Sequence, residues 1–377
     1  MTRLLKFVFP SLLLLATVSS AQIDRFGIAA GTPEDKALQA ISNEADAGKK
    51  LTLYQEFVEK FAANPEAAAY GNWQLSQAYQ AASDLPKALE AGEKALAGSP
   101  RNLEVLVSQT GIAQQIKNNA KVIEYATRGG EAYNSLSKQP KPDGLSETDF
   151  KTRMEQDLDS GKSSYEFLES SALNAIVDEK NAKTRMGYIE RFTPAFPSSR
   201  FEDQVTQYAM FSLGEMNEPA RLFVYGEKAL AANPSSLAVN LMMANAYVDD
   251  NRPGSTAKAV TYAQKVVAIA KADAPDADSA RKLSAGVAYS TLGYAYMKQE
   301  KTAASVPELQ AASALLKGQD SVAYATALYR LGFAYAKLSK TTEAKTVLTE
   351  AAAIPGPLQQ TCRDLLAKVN SARAKGK

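Results

Sequence analysis

The chain is expected to be all-α, an α-α superhelix or solenoid of about seven to eight helical hairpins closed by a C-terminal capping helix. Three observations predict this class. From Pro33 onward apolar residues recur at helical spacing, and no alternating strand pattern is sustained. Internal similarity returns at a period of roughly 34 residues, the length of one helix–turn–helix unit. The pattern Leu-Gly-x-x-Tyr occurs twice, at Leu292-Gly293 with Tyr296 and at Leu331-Gly332 with Tyr335.

The chain opens MTRLLKFVFPSLLLLATVSSAQ. Basic Arg3 and Lys6, an apolar run from Phe7 to Val18 and the small residues Ser19-Ser20-Ala21 read as a secretory signal peptide over residues 1–21, cleaved after Ala21. Residues 22–32 are rich in small residues and are expected to be flexible.

A first block of repeats is expected over residues 33–136. Residues 34–65 read as a degenerate helical pair. Residues 69–102 carry Leu75, Tyr79, Ala88, Gly92, Ala95 and Pro100. Residues 103–136 continue in register, with Lys121-Val122 standing where Lys87-Ala88 stood and Gly129 where Ala95 stood. Residues 137–149, holding Pro140, Pro142 and Gly144, read as a loop.

The second block is expected over residues 150–272. It contains a degenerate pair near 164–197 and a unit at 237–272 with Met243, Ala244, Tyr247 and Ala259, extended by the loop residues Asp249 to Ser255. The segment AGEKALAGSP at 91–100 returns as YGEKALAANP at 225–234. Each is preceded by a helix ending in Phe and Pro, at 54–65 and 188–197, so a block of repeats reads as duplicated.

Residues 273–356 hold the most regular units, after a soft stretch from Asp273 to Asp278. One keeps Tyr289, Leu292, Gly293, Tyr296 and Ala312. In the last, helices are expected from Val322 to Lys337 and from Thr342 to Ala353. Leu328, Leu331, Gly332 and Tyr335 line one face, Ala344, Leu348 and Ala351 the other. Leu338-Ser339-Lys340 makes the turn, Thr341 or Thr342 is a candidate cap, and Pro355-Gly356-Pro357 ends the pair. Gly332 and Ala344 let the two backbones approach, and Tyr335 fills the space beside them. Residues 357–377 supply a capping helix, from Leu358 to about Ala372, and a tail; a terminal repeat needs such a cover.

This last hairpin resembles a tetratricopeptide repeat, matching that family's pattern through Leu331, Gly332, Tyr335, Ala344, Ala351 and Pro355. The resemblance implies a right-handed superhelix whose first helices line a concave, partner-binding groove. Residues two before and two after the Leu-Gly pair face that groove in the family. Here they are Tyr329 and Phe333, with Lys337 one turn on; Ser290 and Tyr294, with Lys298; Leu241 and Asn245, with Met242 beside them; and Trp73 and Gln77. Packing against neighbouring repeats stays open as an alternative for Tyr294, Tyr329 and Phe333. A one-residue slip would put Trp73 at the family's buried aromatic position. The family's carboxylate-clamp pattern uses Lys and Asn at these sites. Only Asn245 fits, so recognition of an acidic C-terminal tail is not implied.

Composition narrows the chemistry. The 377 residues contain no histidine, which excludes Ser-His-Asp and Cys-His catalysis and every His-ligated zinc site. Cys362 is the only cysteine, so no intramolecular disulfide forms, and its helical context marks it as a buried small residue. Gly161-Lys162-Ser163 lacks the earlier glycine of a phosphate-binding loop, since residue 156 is Gln156, and reads as a helix start or turn. Ser-x-x-Lys occurs from Ser135, Ser255 and Ser279 without the companion motifs of a serine acyl-enzyme. Asp249-Asp250-Asn251 lacks the spacing of a calcium loop. No catalytic residue, metal ligand or cofactor is assigned.

Without residues 1–21 the 43 basic residues fall by two and match the 41 acidic ones, which argues against nucleic acid as a partner. No membrane segment is expected after the signal peptide. The expectation is a non-enzymatic scaffold of the bacterial periplasm or envelope, holding a protein or peptide partner. The alternative is a cell-wall or carbohydrate-associated protein with weak carboxylate-based hydrolase activity.

Overall fold

The computed structural model describes residues 26–374, so the expected signal peptide lies outside the described residues. Those residues form seventeen α-helices, with no strand among them. They divide into two compact units. One runs to Asp178 and includes Glu190–Ser199; the other takes Glu179–Ile189 and the chain from Arg200.

In the first unit α1 (Pro33–Ser42), α2 (Ala47–Lys60), α3 (Pro65–Ala81), α4 (Leu85–Gly98), α5 (Leu103–Gln115) and α6 (Asn119–Ser135) follow as hairpins, each helix packed on the next. Their starts are written in the sequence. Thr32, Asp46, Asn64, Asp84, Asn102 and Asn118 each accept the backbone N–H three residues on, and Pro33, Pro65 and Pro86 sit in first turns. A side-chain cap of this kind is worth about 1 kcal/mol. Phe57, Ala67, Leu106, Ile112, Ile123 and Tyr125 supply the core. Fully buried Tyr125 donates its hydroxyl to Glu93, 2.9 Å away, and Lys121 reaches the same carboxylate at 2.6 Å.

Two segments of this unit differ from the sequence expectation. Within residues 22–32, expected to be flexible, Phe26 and Gly27 contact α3. The Phe26 ring stacks on Trp73 at 5.4 Å and meets Tyr70 edge-on, while the Gly27 N–H donates to Glu66. The loop expected over 137–149 is shorter, because a 3-10 turn takes Leu136–Lys138 and α7 (Glu147–Asp178) begins at Glu147. Tyr133 holds the early turns of α7. Its hydroxyl donates to Leu158 O at 2.9 Å and its ring packs on Tyr165 at 4.6 Å. Gly161, read as a helix start or turn, is instead inside α7, where a Cβ would come 3.0 Å from the Tyr133 ring.

Helix α8 (Ala182–Ala195) contributes to both units. Its last residues belong with the first, where Phe192 and Phe196 pack on each other and Phe196 on Tyr165.

The second unit continues with α9 (Glu202–Glu215), α10 (Pro219–Ala232), α11 (Leu237–Asp249), α12 (Ser255–Ala270), α13 (Ser279–Lys298), α14 (Thr302–Leu316), α15 (Ser321–Lys337), α16 (Thr341–Ala353) and α17 (Gln359–Ala374). Close crossings sit where the sequence has glycine. A Cβ on Gly293 would stand 2.4 Å from Leu309, and one on Gly332 2.5 Å from Leu348. The duplication is legible in packing as well. Gly92 lies under Gln109, and Gly226, its counterpart, under Met243, the same offset along the chain. Phe223, Tyr247 and Tyr262 stack as three near-parallel rings across α10, α11 and α12. Helix α17 covers the last hairpin, burying Cys362 against Leu328 and Ala351 and Val369 against Leu331 and Leu348. Neither threonine caps α16: Lys340 holds the cap position and Thr341 is the first helical residue, because Ser339 turns the chain back in the left-handed region.

Candidate functional site

The first helices of the last three hairpins, α11, α13 and α15, touch one another directly in the second unit. Each also packs on its own hairpin partner. Eight of the ten residues singled out in the sequence lie on these three helices; Trp73 and Gln77 lie on α3 of the first unit.

The eight divide by what they already touch. Leu241 packs into the apolar cluster of Ala244, Ala288 and Leu292, and Met242 beside it is half-buried. Asn245 is engaged, accepting a 2.6 Å hydrogen bond from the Thr291 hydroxyl. Lys298 spans helices, its ammonium 2.7 Å from Val248 O and 3.3 Å from Asn251 Oδ1. It therefore closes the C-terminal end of α11 as well as offering charge. Ser290, read as facing a groove, is buried beneath Arg330. Tyr329 packs against two core clusters, while Phe333 remains 37% exposed and Lys337 exposed. Trp73 is half-buried between Phe26 and Tyr70, with no partner for its shielded Nε1, and Gln77 is exposed.

Sequence reasoning passed over Arg330. Half-buried on α15, its guanidinium donates from Nη1 to Ser290 O at 3.2 Å and to Ser290 Oγ at 3.0 Å. Its Cζ lies 4.6 Å from the centre of the Tyr294 ring, which Lys298 approaches at 5.8 Å. Lys337 stands 5.6 Å over Phe333 in the same way. Burial pulls the Arg330 group below the usual arginine range, and the field of Asp249 opposes that shift. The guanidinium keeps its charge nonetheless. The readable signal was one of composition: α13 and α15 contain no acidic residue, and α11 has one, Asp249. Cations and aromatic rings thus share this side of the unit, an arrangement suited to holding anionic and apolar groups together.

No family profile matches the chain and no curated protein matches it. Among solved structures, a tetratricopeptide repeat protein from Parabacteroides merdae is similar at 13% identity and a TM-score of 0.37, over 84% of this chain and 98% of that one. The TPR domain of P58(IPK) is similar at 11% identity and a TM-score of 0.33, over 92% and 99%. The fold rests on the helices themselves. Paired helices cross closely at Gly293 and Gly332 in consecutive hairpins, and the chain is an all-α helical-repeat protein.

Proposed function

We propose that the protein is a non-enzymatic scaffold that holds a protein or peptide partner against the side formed by α11, α13 and α15. We place it in the bacterial periplasm or envelope, on the strength of the leader sequence alone. The observation that carries the binding reading is Phe333. An aromatic ring 37% exposed on a helix whose other rings, Tyr324, Tyr329 and Tyr335, pack into the core, with Lys337 over it and Arg330 one turn before it, has the make-up of a contact anchor. No helix of the described residues is long and apolar enough to cross a membrane.

The test uses the chain expressed from its first codon in a bacterial host, with a C-terminal tag. Recovery from the periplasmic fraction with Gln22 at the N-terminus is expected. Envelope proteins crosslinked to the wild type should be lost from the double variant Phe333→Ala, Lys337→Ala at unchanged helicity. Identical crosslinked partners for both would move the binding surface elsewhere, and cytoplasmic retention with an intact leader would sink the location.

A further inference from the structure

Resting on the reading of this face as a partner surface, we propose that it takes an acidic stretch of polypeptide. A side-chain carboxylate of the partner seats on the Arg330 guanidinium, and neighbouring apolar side chains lie on Tyr294 and Phe333.

Arg330 carries the argument. Among the described residues only its Nη1 is bonded, and both of those acceptors belong to Ser290. Its other nitrogens have no partner among the described residues, yet they are not among the buried polar atoms left without one, so they open to solvent. No carboxylate of the described residues makes an ion pair with it; Asp249 acts on it only through its field. A half-buried guanidinium without a carboxylate is uncommon, because its planar fork matches the two oxygens of that group. Here the fork is also held in place, since Ser290 fixes one end and the Tyr294 ring backs its plane at 4.6 Å. Little side-chain freedom is left to lose when an anion arrives.

The surroundings point the same way. Helices α13 and α15 present Lys298, Arg330 and Lys337 with no acid of their own, whereas Glu308, Glu343 and Glu350 sit on the second helices α14 and α16. The acids of these hairpin helices thus stand on the second helices, and Lys298, Arg330 and Lys337 lie beside rings. These three cations, with Arg281 and Lys282 at the other end of α13, are few for nucleic acid, which rewards about six or more phosphate contacts. An extended peptide with alternating acidic and apolar side chains fits both kinds of group. The site differs from a clamp for a chain terminus, since Asn245 is already bonded to Thr291.

The probe is a short fluorescent peptide of alternating Glu and Tyr, amidated at its C-terminus so that only side-chain carboxylates count. Its counterpart carries Gln in place of Glu. Anisotropy titrations with the whole chain should show the Glu peptide bound on the order of tenfold more tightly at low salt, a gap that narrows at high salt. Arg330→Gln should remove that preference while leaving the Gln peptide unaffected. Lys337→Glu, at an exposed position that does not threaten folding, should weaken the Glu peptide as well. Equal affinity for the two peptides, or a folded Arg330→Gln chain with the preference intact, overturns the acidic assignment. If Phe333→Ala then still weakens both peptides, the binding face stands and only its chemistry was wrong; if neither peptide binds, both readings fall. Retention on phosphatidylglycerol vesicles that the Glu peptide cannot displace overturns the assignment in favour of a lipid surface.

Discussion

Gly92 is the residue whose side chain is most clearly missing for a reason. A Cβ there would stand 1.9 Å from Nε2 of Gln109 and 2.4 Å from its Oε1, so the amide of α5 lies flat across the backbone of α4. Gln109 is fully buried; its Nε2 donates to the Ser76 hydroxyl at 2.9 Å, and that hydroxyl donates to Ala88 O at 2.7 Å. Its Oε1 has no partner among the described residues, so that carbonyl carries a desolvation cost with no bond to offset it. Gly92→Ala is therefore expected to destabilise by about 1–3 kcal/mol through overpacking, more than it gains from helix propensity. Gln109→Ala in the same chain should return part of that loss, because it removes the clash and the orphaned carbonyl together. Urea unfolding of the two single variants and the double variant measures the coupling. Additive effects would mean that Gln109 moves aside freely. Arg330 teaches the complementary lesson about sequence. Nothing in its own neighbours along the chain marks it out; its role comes from Ser290 and Tyr294, forty and thirty-six positions away on another helix.

The hairpin was legible where side chains set the geometry and illegible where the backbone did. Leu331, Gly332 and Tyr335 announced the last crossing because apolar spacing and a missing Cβ are properties of the residues themselves. The turn between paired helices is not announced in that way. Ser83, Lys117, Asn217, Glu300 and Ser339 all adopt positive φ, and the next N–H returns to the carbonyl five residues before it, from Asp84 to Tyr79, Asn118 to Ala113, Glu218 to Leu213, Lys301 to Tyr296 and Lys340 to Tyr335. That bond satisfies a carbonyl left over at the helix end. The same turn is built five times from Ser, Lys, Asn and Glu, so no single residue type marks it. Capping of the following helix varies in consequence. Asp84, at φ −88 and ψ 70, accepts the Lys87 N–H, whereas Lys340, at φ −82 and ψ 70, accepts nothing through its side chain. Lys340→Asp places a carboxylate in the geometry that already works at Asp84. The cap should add about 1 kcal/mol. Losing the Lys340 contact with the Tyr335 ring, 5.9 Å away, takes back about 0.5 kcal/mol. A modest rise in melting temperature is expected, and a fall would show that the Lys340–Tyr335 contact outweighs a cap.

Across the whole chain the absence of histidine leaves no imidazole to titrate, so pH dependence rests on carboxylates. Among those held below their ordinary value of 4.5 are Glu93 in the first unit and Glu350 in the second. Glu93 is lowered first by its bond from Lys121 and then by the Tyr125 hydroxyl. Glu350 is lowered first by the Tyr324 hydroxyl and then by Lys317. A depressed folded value means that the unfolded chain takes up protons first as pH falls. The stabilisation is therefore present above 4.5 and is lost as pH drops through the folded values. Glu308 runs the other way. Burial raises its carboxyl, so the folded state binds that proton more readily, and the charge costs stability at neutral pH. Unfolding midpoints in urea should thus be level from about pH 6 to pH 8 and decline below about 4.5. Glu93→Gln should lower the midpoint at neutral pH and shrink the decline, since the variant has no proton to gain there. Glu308→Gln should raise the midpoint at neutral pH and leave the decline in place or steeper, because it removes the one group that acidification favours. A step near pH 6.5 in the wild type, or an acid decline in Glu93→Gln as large as in the wild type, would show that stability is governed by groups other than these.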